Sequence, residues 1–299
     1  MQWDEFSDWG AKISQWAADY HTNLRDRPVR AQTAPGDVAA LIAASAPEGP
    51  HSMNEIMADF ERVVMPGITH WQHPRFFAYF PANAAPPSML AEMLVSTIAA
   101  QCMLWQTSPA ATEMETVMLD WLRQAIGLPE KFSGVIQDSA SSATLAAVLT
   151  MRERALDWQG NQLGLSGAPR LRIYCSEEVH TSVDRAIWVS GVGQDNLVRI
   201  PISGPLRGMN AGALKAAIQA DITSGYHPAG IIACTGGTGT GACDDLTEVV
   251  KVSKEFNLYS HVDAAWAGAG MICPEFRELW CGVEGADSIV FNPHKWLGA

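Results

Sequence analysis

Apolar and polar positions follow two different patterns along the chain. In the first part, apolar residues recur every three or four positions, which predicts helices. The clearest pattern is an aromatic stripe that predicts a first helix ending before Pro28. We expect either the protein core or another subunit to cover this stripe. Its members are Trp3, Phe6, Trp9, Ile13, Trp16, Ala17 and Tyr20.

The pattern remains mainly helical over about residues 51 to 128, with breaks at 65–67 and in the aromatic stretch 74–81. After that, short apolar runs alternate with helix-length segments. The runs are 134–137, 171–175, 197–200, 230–234, 258–262 and 288–291. Such alternation is typical of a mostly parallel sheet with helices on both faces, so the predicted fold class is α/β. We predict a helical N-terminal segment over 1–85 and a large α/β domain over 86–299.

The amino-acid composition limits the classes of binding partner and the cellular compartment that we expect for this chain. Lys and Arg number 20 against 32 Asp and Glu, and the net charge of −12 disfavours nucleic acid. Charged residues make up 17% and apolar residues 47%, which favours an oligomer. No apolar run reaches the roughly 18 residues of a membrane span, and the first residues lack the layout of a signal peptide. These two observations predict a cytoplasmic protein that binds no membrane. The six cysteines are isolated, so we expect reduced thiols and no zinc site.

Candidate chemistry lies after the predicted strands, because ligands of open α/β sheets bind at the carboxyl ends of strands. The first run is followed by small hydroxyl residues over 138–144, which suit either a bound phosphate or an ordinary helix N-cap. Lys295 follows the last run between aromatic residues. Desolvation there would lower the pKa of its amine and make it a nucleophile, whereas a structural lysine with an exposed head is the alternative.

A glycine-rich segment over 235–242, with Asp263 about 20 residues further on, matches a dinucleotide fingerprint. However, Asp244 and Asp245 would stand where the pyrophosphate should bind, and two carboxylates would repel it. A nicotinamide site is therefore the weaker interpretation. A nucleophilic lysine, a phosphate-ready helix start and Asp263 at the end of a strand are instead the parts of a pyridoxal phosphate site.

Several longer motifs occur along the chain. They are Met65 to Trp71, Phe76 to Pro81, Ser108 to Glu113, His261 to Ala265 and Asn292 to Trp296. In these motifs the chain resembles the group II pyridoxal phosphate-dependent decarboxylases, especially those that act on aromatic L-amino acids, from end to end. The resemblance implies the type I fold of pyridoxal phosphate enzymes, a homodimer in which the N-terminal segment packs on the partner, and conversion of an L-amino acid, most often an aromatic one, to its amine and CO2.

The resemblance also implies roles for single residues. Lys295 carries the cofactor, Asp263 pairs with the ring nitrogen, and His180 stacks on the ring; these are the implied catalytic residues. Further implied cofactor contacts are Ala140, Ser141, Thr238, Ala265, Asn292 and His294. The implied substrate pocket consists of Trp71, Tyr79, Phe80, Pro81, Ala82 and Met103. No metal is implied.

Some positions depart from the family pattern, and alternatives stay open. Ala82, Gln101 and Met103 differ at the pocket, and Gly237 and Gly239 replace residues that are usually threonines. An aromatic aldehyde synthase is the alternative with the same cofactor, and a histidine at position 180 favours simple decarboxylation. A nicotinamide-dependent dehydrogenase and a non-catalytic truncated subunit come from other classes. Members of the family continue past the lysine, so we expect these 299 residues to be incomplete and inactive alone.

Overall fold

The structure is a computed structural model that describes residues 2–79 and 84–299. The predicted pocket residues Phe80, Pro81 and Ala82 lie outside the described residues. The chain forms two compact units, Met1–Ala82 and Asn83–Ala299. We describe each unit by itself.

Helices dominate the first unit, as the pattern predicts. They are α1 (Trp3–Thr22), α2 (Asp37–Ala40) and α3 (Met53–Asp59). The aromatic stripe of α1 is covered only toward its C-terminal end, where Trp16 stacks on Tyr20 with ring centroids 5.4 Å apart and meets Phe60 edge-on at 5.2 Å. Trp3 at the other end is 84% exposed. Within this unit the stripe is partly covered, and no residue of α1 is fully buried.

The second unit alternates helices with strands. Its elements in chain order are α4 (Pro86–Ile98), α5 (Pro109–Ala125), α6 (Ala140–Ala155), α7 (Gly160–Leu163), β1 (Leu171–Ser176), α8 (Ser182–Val189), β2 (Leu197–Ile200), β3 (Ile202–Ser203), β4 (Gly208–Met209), α9 (Ala211–Thr223), β5 (His227–Cys234), α10 (Leu246–Glu255), β6 (Tyr259–Asp263), β7 (Ser288–Val290) and α11 (Pro293–Trp296).

Five of the strands form one parallel sheet in the order β2-β1-β5-β6-β7. They correspond to five of the six predicted runs, which confirms the α/β fold class. Both faces of the sheet are buried: Ile173 and Cys175 pack with residues of α6 and α8, whereas Tyr174 packs on the other face with α9 and α10. Burial on both faces explains why the strands are continuous apolar runs.

The prediction of a strand over 134–137 is wrong. Val135 and Ile136 are 66% and 67% exposed, and no strand of the described chain pairs with them. The N–H of Ile136 donates to the Glu115 carboxylate at 2.7 Å instead. An apolar run becomes a strand only when a neighbouring strand takes its backbone hydrogen bonds. Conversely, the pattern missed the antiparallel β3–β4 hairpin, whose two-residue strands are too short for a periodic signal.

Candidate active site

Three neighbouring strands end at the same edge of the sheet. The register pairs Cys234 with Asp263 and Asp263 with Val290, so the residues that follow β5, β6 and β7 lie side by side. Two backbone hydrogen bonds extend this alignment past the strands. The Thr235 N–H donates to the Asp263 carbonyl, and the Asn292 N–H donates to the Ala265 carbonyl, both at 3.1 Å. The structure thus brings Asp263, Ala265 and Asn292 together.

Asp263 and Lys295 form the charged part of this edge. The Asp263 carboxylate is buried and accepts a hydrogen bond from the Ala265 N–H at 3.0 Å. Lys295 is half-buried on α11, directly after β7. Burial lowers the pKa of Lys295, and the negative charge of Asp263 acts in the opposite direction. A lower pKa raises the fraction of neutral amine, which is the nucleophilic form of a lysine.

Helix α6 directs its N-terminus toward the same edge. Near its C-terminal end, Arg154 reaches Asn257 at 3.1 Å and Asp287 at 3.4 Å, two residues that precede β6 and β7. The C-terminal end of α6 therefore lies at the amino ends of these strands. Because the helix extends about 24 Å along the sheet, Ala140 lies toward their carboxyl ends.

The start of α6 leaves backbone donors available. The Ser139 side chain caps the helix by accepting from the Ser142 N–H at 3.2 Å, so the ordinary N-cap interpretation holds. Within the described chain, no hydrogen-bond acceptor takes the N–H groups of Ala140 and Ser141. Free N–H groups and the helix dipole favour an anion at this point, so the cap and a phosphate site are compatible.

His180 lies in the turn after β1, the strand next to β5. Its Nδ1 accepts the Ser182 N–H at 3.1 Å and lies 3.0 Å from the Ser182 hydroxyl. These contacts fix the ring and place the proton of a neutral imidazole on Nε2. The adjacent backbone approaches the glycine loop, because a Cβ added at Gly237 would lie 3.2 Å from the Glu178 carbonyl oxygen.

The glycine loop, residues 235–243, does not open a helix. It folds back on itself through the Gly236 and Gly237 N–H groups, which donate to the Ala242 carbonyl at 2.9 and 2.8 Å. The next helix, α10, begins only at Leu246, with Asp245 as its N-cap. Asp244 is buried and does not face the helix start. The fingerprint therefore lacks the helix that would hold a pyrophosphate, which argues against the nicotinamide interpretation.

Buried polar atoms that the sequence analysis missed also lie along this part of the sheet. The Thr235 hydroxyl, the Thr144 hydroxyl and His261 Nε2 are buried and lack a hydrogen-bond partner among the described residues. Thr235 directly follows β5, and a hydroxyl residue after a buried strand is a signal that could have found it. His261 precedes Asp263 by two positions and shares its strand face, and burial lowers the pKa of its imidazole.

The remaining predicted residues are more exposed. Trp71 stacks on Tyr79 with centroids 5.5 Å apart, and both belong to the first unit. Met103 lies in the segment between α4 and α5 of the second unit and is 72% exposed. His294 is exposed on α11, and Thr238 is half-buried in the glycine loop.

Comparison with known proteins identifies the family. The profile of the pyridoxal-dependent decarboxylase conserved domain matches residues 35–299. Aromatic-L-amino-acid decarboxylase of Sus scrofa is 42% identical, with the match covering 99% of this chain and 63% of that protein. The crystal structure of Oryza sativa TDC with PLP and tryptamine has a TM-score of 0.93 at 33% identity, covering 100% of this chain and 65% of that one.

A structure of Rhodiola rosea 4-hydroxyphenylacetaldehyde synthase is similar too, with a TM-score of 0.94 at 33% identity over 100% of this chain and 64% of that one. This chain therefore spans slightly less than two thirds of the length of each of these relatives. Their likeness confirms that the sheet and its helices have the type I fold of pyridoxal phosphate-dependent enzymes. The chain belongs to the pyridoxal-dependent decarboxylase family.

Proposed function

We propose that this chain carries the catalytic site of a pyridoxal phosphate-dependent decarboxylase, a lyase that converts an aromatic L-amino acid to its amine and CO2. The observation that carries the proposal is the meeting of three groups at one edge of the sheet. These are the half-buried Lys295 amine, the buried Asp263 carboxylate and the uncapped N–H groups at the start of α6.

The residues at this edge fit pyridoxal phosphate. The N–H groups of Ala140 and Ser141, together with Thr238 of the glycine loop, would hold its phosphate, and Lys295 would bind its aldehyde. Asp263 would pair with the ring nitrogen, and His180, Ala265, Asn292 and His294 would line the ring. When bound, the cofactor supplies a conjugated ring that accepts the electron pair left behind by CO2.

The chain's own residues prepare the site for this chemistry. The Asp263 carboxylate, held by the Ala265 N–H, would keep a proton on the nitrogen it faces. Because burial lowers the pKa of Lys295, less free energy is needed to deprotonate its amine. Ser182 orients the His180 ring, so its Nε2–H is available as a donor.

The aromatic substrate class is supported by Trp71 and Tyr79 and by the relatives. The Sus scrofa protein is named as acting on aromatic L-amino acids, and the Oryza sativa structure holds tryptamine. An aromatic aldehyde synthase is the second candidate, because the Rhodiola rosea enzyme has the same fold at a TM-score of 0.94. The histidine at position 180 favours the decarboxylase, since the resemblance associates aldehyde synthases with changes there.

We also propose a homodimer. On α5 the exposed apolar residues Met114, Val117, Met118 and Trp121 repeat at helical spacing, and no residue of this helix is buried. Such a face favours contact with a second copy of the chain. The variant Met118→Glu should shift the mass measured by light scattering toward the monomer. Leu163→Glu, at an apolar residue exposed elsewhere, is the control.

A cytoplasmic location is part of the proposal. All six cysteines are unpaired, which suits a reducing compartment. The described part of the chain has no helix long and apolar enough to cross a membrane. Fractionation of the source cells would test the location.

The decisive experiment measures products from the full-length protein supplied with pyridoxal phosphate. L-tryptophan, L-tyrosine and L-phenylalanine are offered one at a time, with L-glutamate as the non-aromatic control. Amine and CO2 in equal amounts support the decarboxylase. Aldehyde together with ammonia and hydrogen peroxide would identify the synthase. Cofactor absorbance should appear in the parent and in the control Lys254→Ala, which changes an exposed lysine in the last turn of α10. Borohydride should attach the cofactor covalently to both of these proteins and not to Lys295→Ala.

A further inference from the structure

Glu178 connects three segments of the second unit. It lies in the turn between β1 and α8, two residues before His180. One carboxylate oxygen accepts from Nε of Arg207 at 3.1 Å and also from Nη2 of that guanidinium. The other oxygen accepts from the Thr240 hydroxyl at 2.9 Å. Arg207 belongs to the β3–β4 hairpin and Thr240 to the glycine loop, so one carboxylate joins the turn, the hairpin and the loop.

The glycine loop depends on this contact at its tip. Its neck is closed by backbone hydrogen bonds from Gly236, Gly237 and Gly241. Among the described residues, no backbone hydrogen bond reaches residues 238–240, and a Cβ at Gly239 would meet open space. Glycine loses more conformational entropy on ordering than other residues, so a glycine-rich tip needs a side-chain anchor. The bond from Thr240 to Glu178 supplies that anchor, two residues from Thr238.

The hairpin holds the other side of Glu178 in place. Arg207 has a φ of 53° in the turn between β3 and β4, and the hairpin is fastened to the neck of the loop. The Cys243 N–H donates to the Leu206 carbonyl at 3.0 Å, and Asp244 accepts from the Met209 N–H at 2.6 Å. The Arg207 and Thr240 hydrogen bonds also hold the pKa of Glu178 below its usual range, so the carboxylate is ionised at neutral pH.

We propose that Glu178 is a positioning residue, which ties the loop carrying Thr238 to the turn carrying His180 and thereby sets how tightly the site retains its phosphorylated cofactor. The inference rests on the proposed function for the identity of the ligand. Glu178 acts through Thr240 and Arg207 and contacts no reacting atom. The backbone makes the same connection, because Gly237 lies against the Glu178 carbonyl.

The test removes the link at the exposed Thr240, where a substitution leaves the core intact. Thr240→Val keeps the shape and loses the hydroxyl, whereas Thr240→Ser keeps the hydroxyl and is the matched control; Glu178→Ala removes both links. Hydrogen exchange is measured on the full chain without cofactor. In Thr240→Val and Glu178→Ala, the hydrogen-bonded amides of Gly236, Gly237 and Gly241 should exchange about tenfold faster or more, and Thr240→Ser should match the parent.

The second readout is the Kd for pyridoxal phosphate, measured by titration of the cofactor-free chain. It should rise about tenfold in Thr240→Val and stay within about twofold of the parent in Thr240→Ser, with the urea midpoint unchanged in both. Parent-like exchange in Thr240→Val would overturn the proposal. So would a lower urea midpoint that accounts for the whole change in Kd, because the contact would then serve stability alone. A parent chain that binds no pyridoxal phosphate would overturn the proposed function, and the exchange comparison would still decide whether Glu178 orders the loop.

Discussion

The sheet edge of the second unit and the aromatic segment of the first unit hold their predicted site residues in different ways. Asp263 is 5% exposed at the end of a strand that is hydrogen-bonded on both sides. Tyr79 is 80% exposed, has a φ of 52° and is supported mainly by stacking on Trp71. The parallel ladder therefore fixes Asp263 through the backbone of its own unit. The aromatic stack leaves most of Tyr79 exposed, whereas a ligand pocket encloses most of its ligand.

The largest effect is expected at Lys295. In the full-length protein, Lys295→Ala should lower kcat by about 10^4-fold or more, because no other amine would take the role of the nucleophile. The variant should still bind pyridoxal phosphate through the start of α6. Stopped assays of amine formation would measure the loss, with Lys254→Ala as the control. Normal turnover by Lys295→Ala would show that the sheet edge does not supply the nucleophile.

A smaller loss is expected at Asp263. Asp263→Asn should lower kcat by about 10^2- to 10^4-fold, since a neutral amide holds the ring nitrogen's proton poorly. The lysine linkage, followed by absorbance, should remain. Asp195→Asn, at an exposed aspartate, controls for loss of charge. If kcat stays within a few-fold of the parent value, another group must hold the ring nitrogen.

The aromatic segment should govern substrate choice. Burying a substrate ring against Trp71 and Tyr79 should contribute roughly 2 to 3 kcal/mol at about 25 cal/mol per Å2. The parent should therefore prefer aromatic amino acids to glutamate by roughly 30- to 150-fold in kcat/KM. Trp71→Ala should reduce this preference, mainly through KM. Faster turnover of glutamate, aspartate or diaminobutyrate than of every aromatic amino acid would show that the segment does not select the substrate.

The smallest effect concerns the stability of the scaffold. Asp244 is buried, and its carboxylate accepts from the Cys234 N–H at 2.7 Å and the Met209 N–H at 2.6 Å. Burial raises the pKa of the Asp244 carboxyl to about 6, well above the usual range of an aspartate. A raised pKa stabilises the folded state below the unfolded pKa, and that stability is lost as pH rises through the folded pKa.

Asp244 should therefore contribute about 2 kcal/mol less stability at pH ~6.5 than at pH ~4.5. Urea unfolding of the parent and of Asp244→Asn at both pH values would measure this contribution. It equals the change in unfolding free energy between the two pH values in the parent minus the same change in the variant. Asn supplies one acceptor for two N–H groups, so that variant should be less stable throughout. Equal pH dependence in the two proteins would contradict the assignment.

The sequence by itself determined the family and most of the sheet. Apolar runs located five strands, because strands buried on both faces have few polar residues. The position of Lys295 and Asp263 after such runs indicated the sheet edge that we propose as the catalytic site. The family resemblance added Ala140, Ser141 and Asn292, which the structure brings to or directs toward that edge. These features are local, so a linear pattern records them.

Only the tertiary structure decided which segments pair and which side chains meet. The run 134–137 reads as a strand, yet it has no neighbouring strand in the described chain and stays exposed. Asp244 was expected at a helix start. It is instead buried, and its carboxylate accepts from the backbone N–H groups of Met209 and Cys234. Arg207 and Thr240 lie 29 and 62 positions after Glu178, and both donate hydrogen bonds to its carboxylate. Hydrogen bonds between distant segments depend on the path of the whole chain, and no local pattern encodes that path.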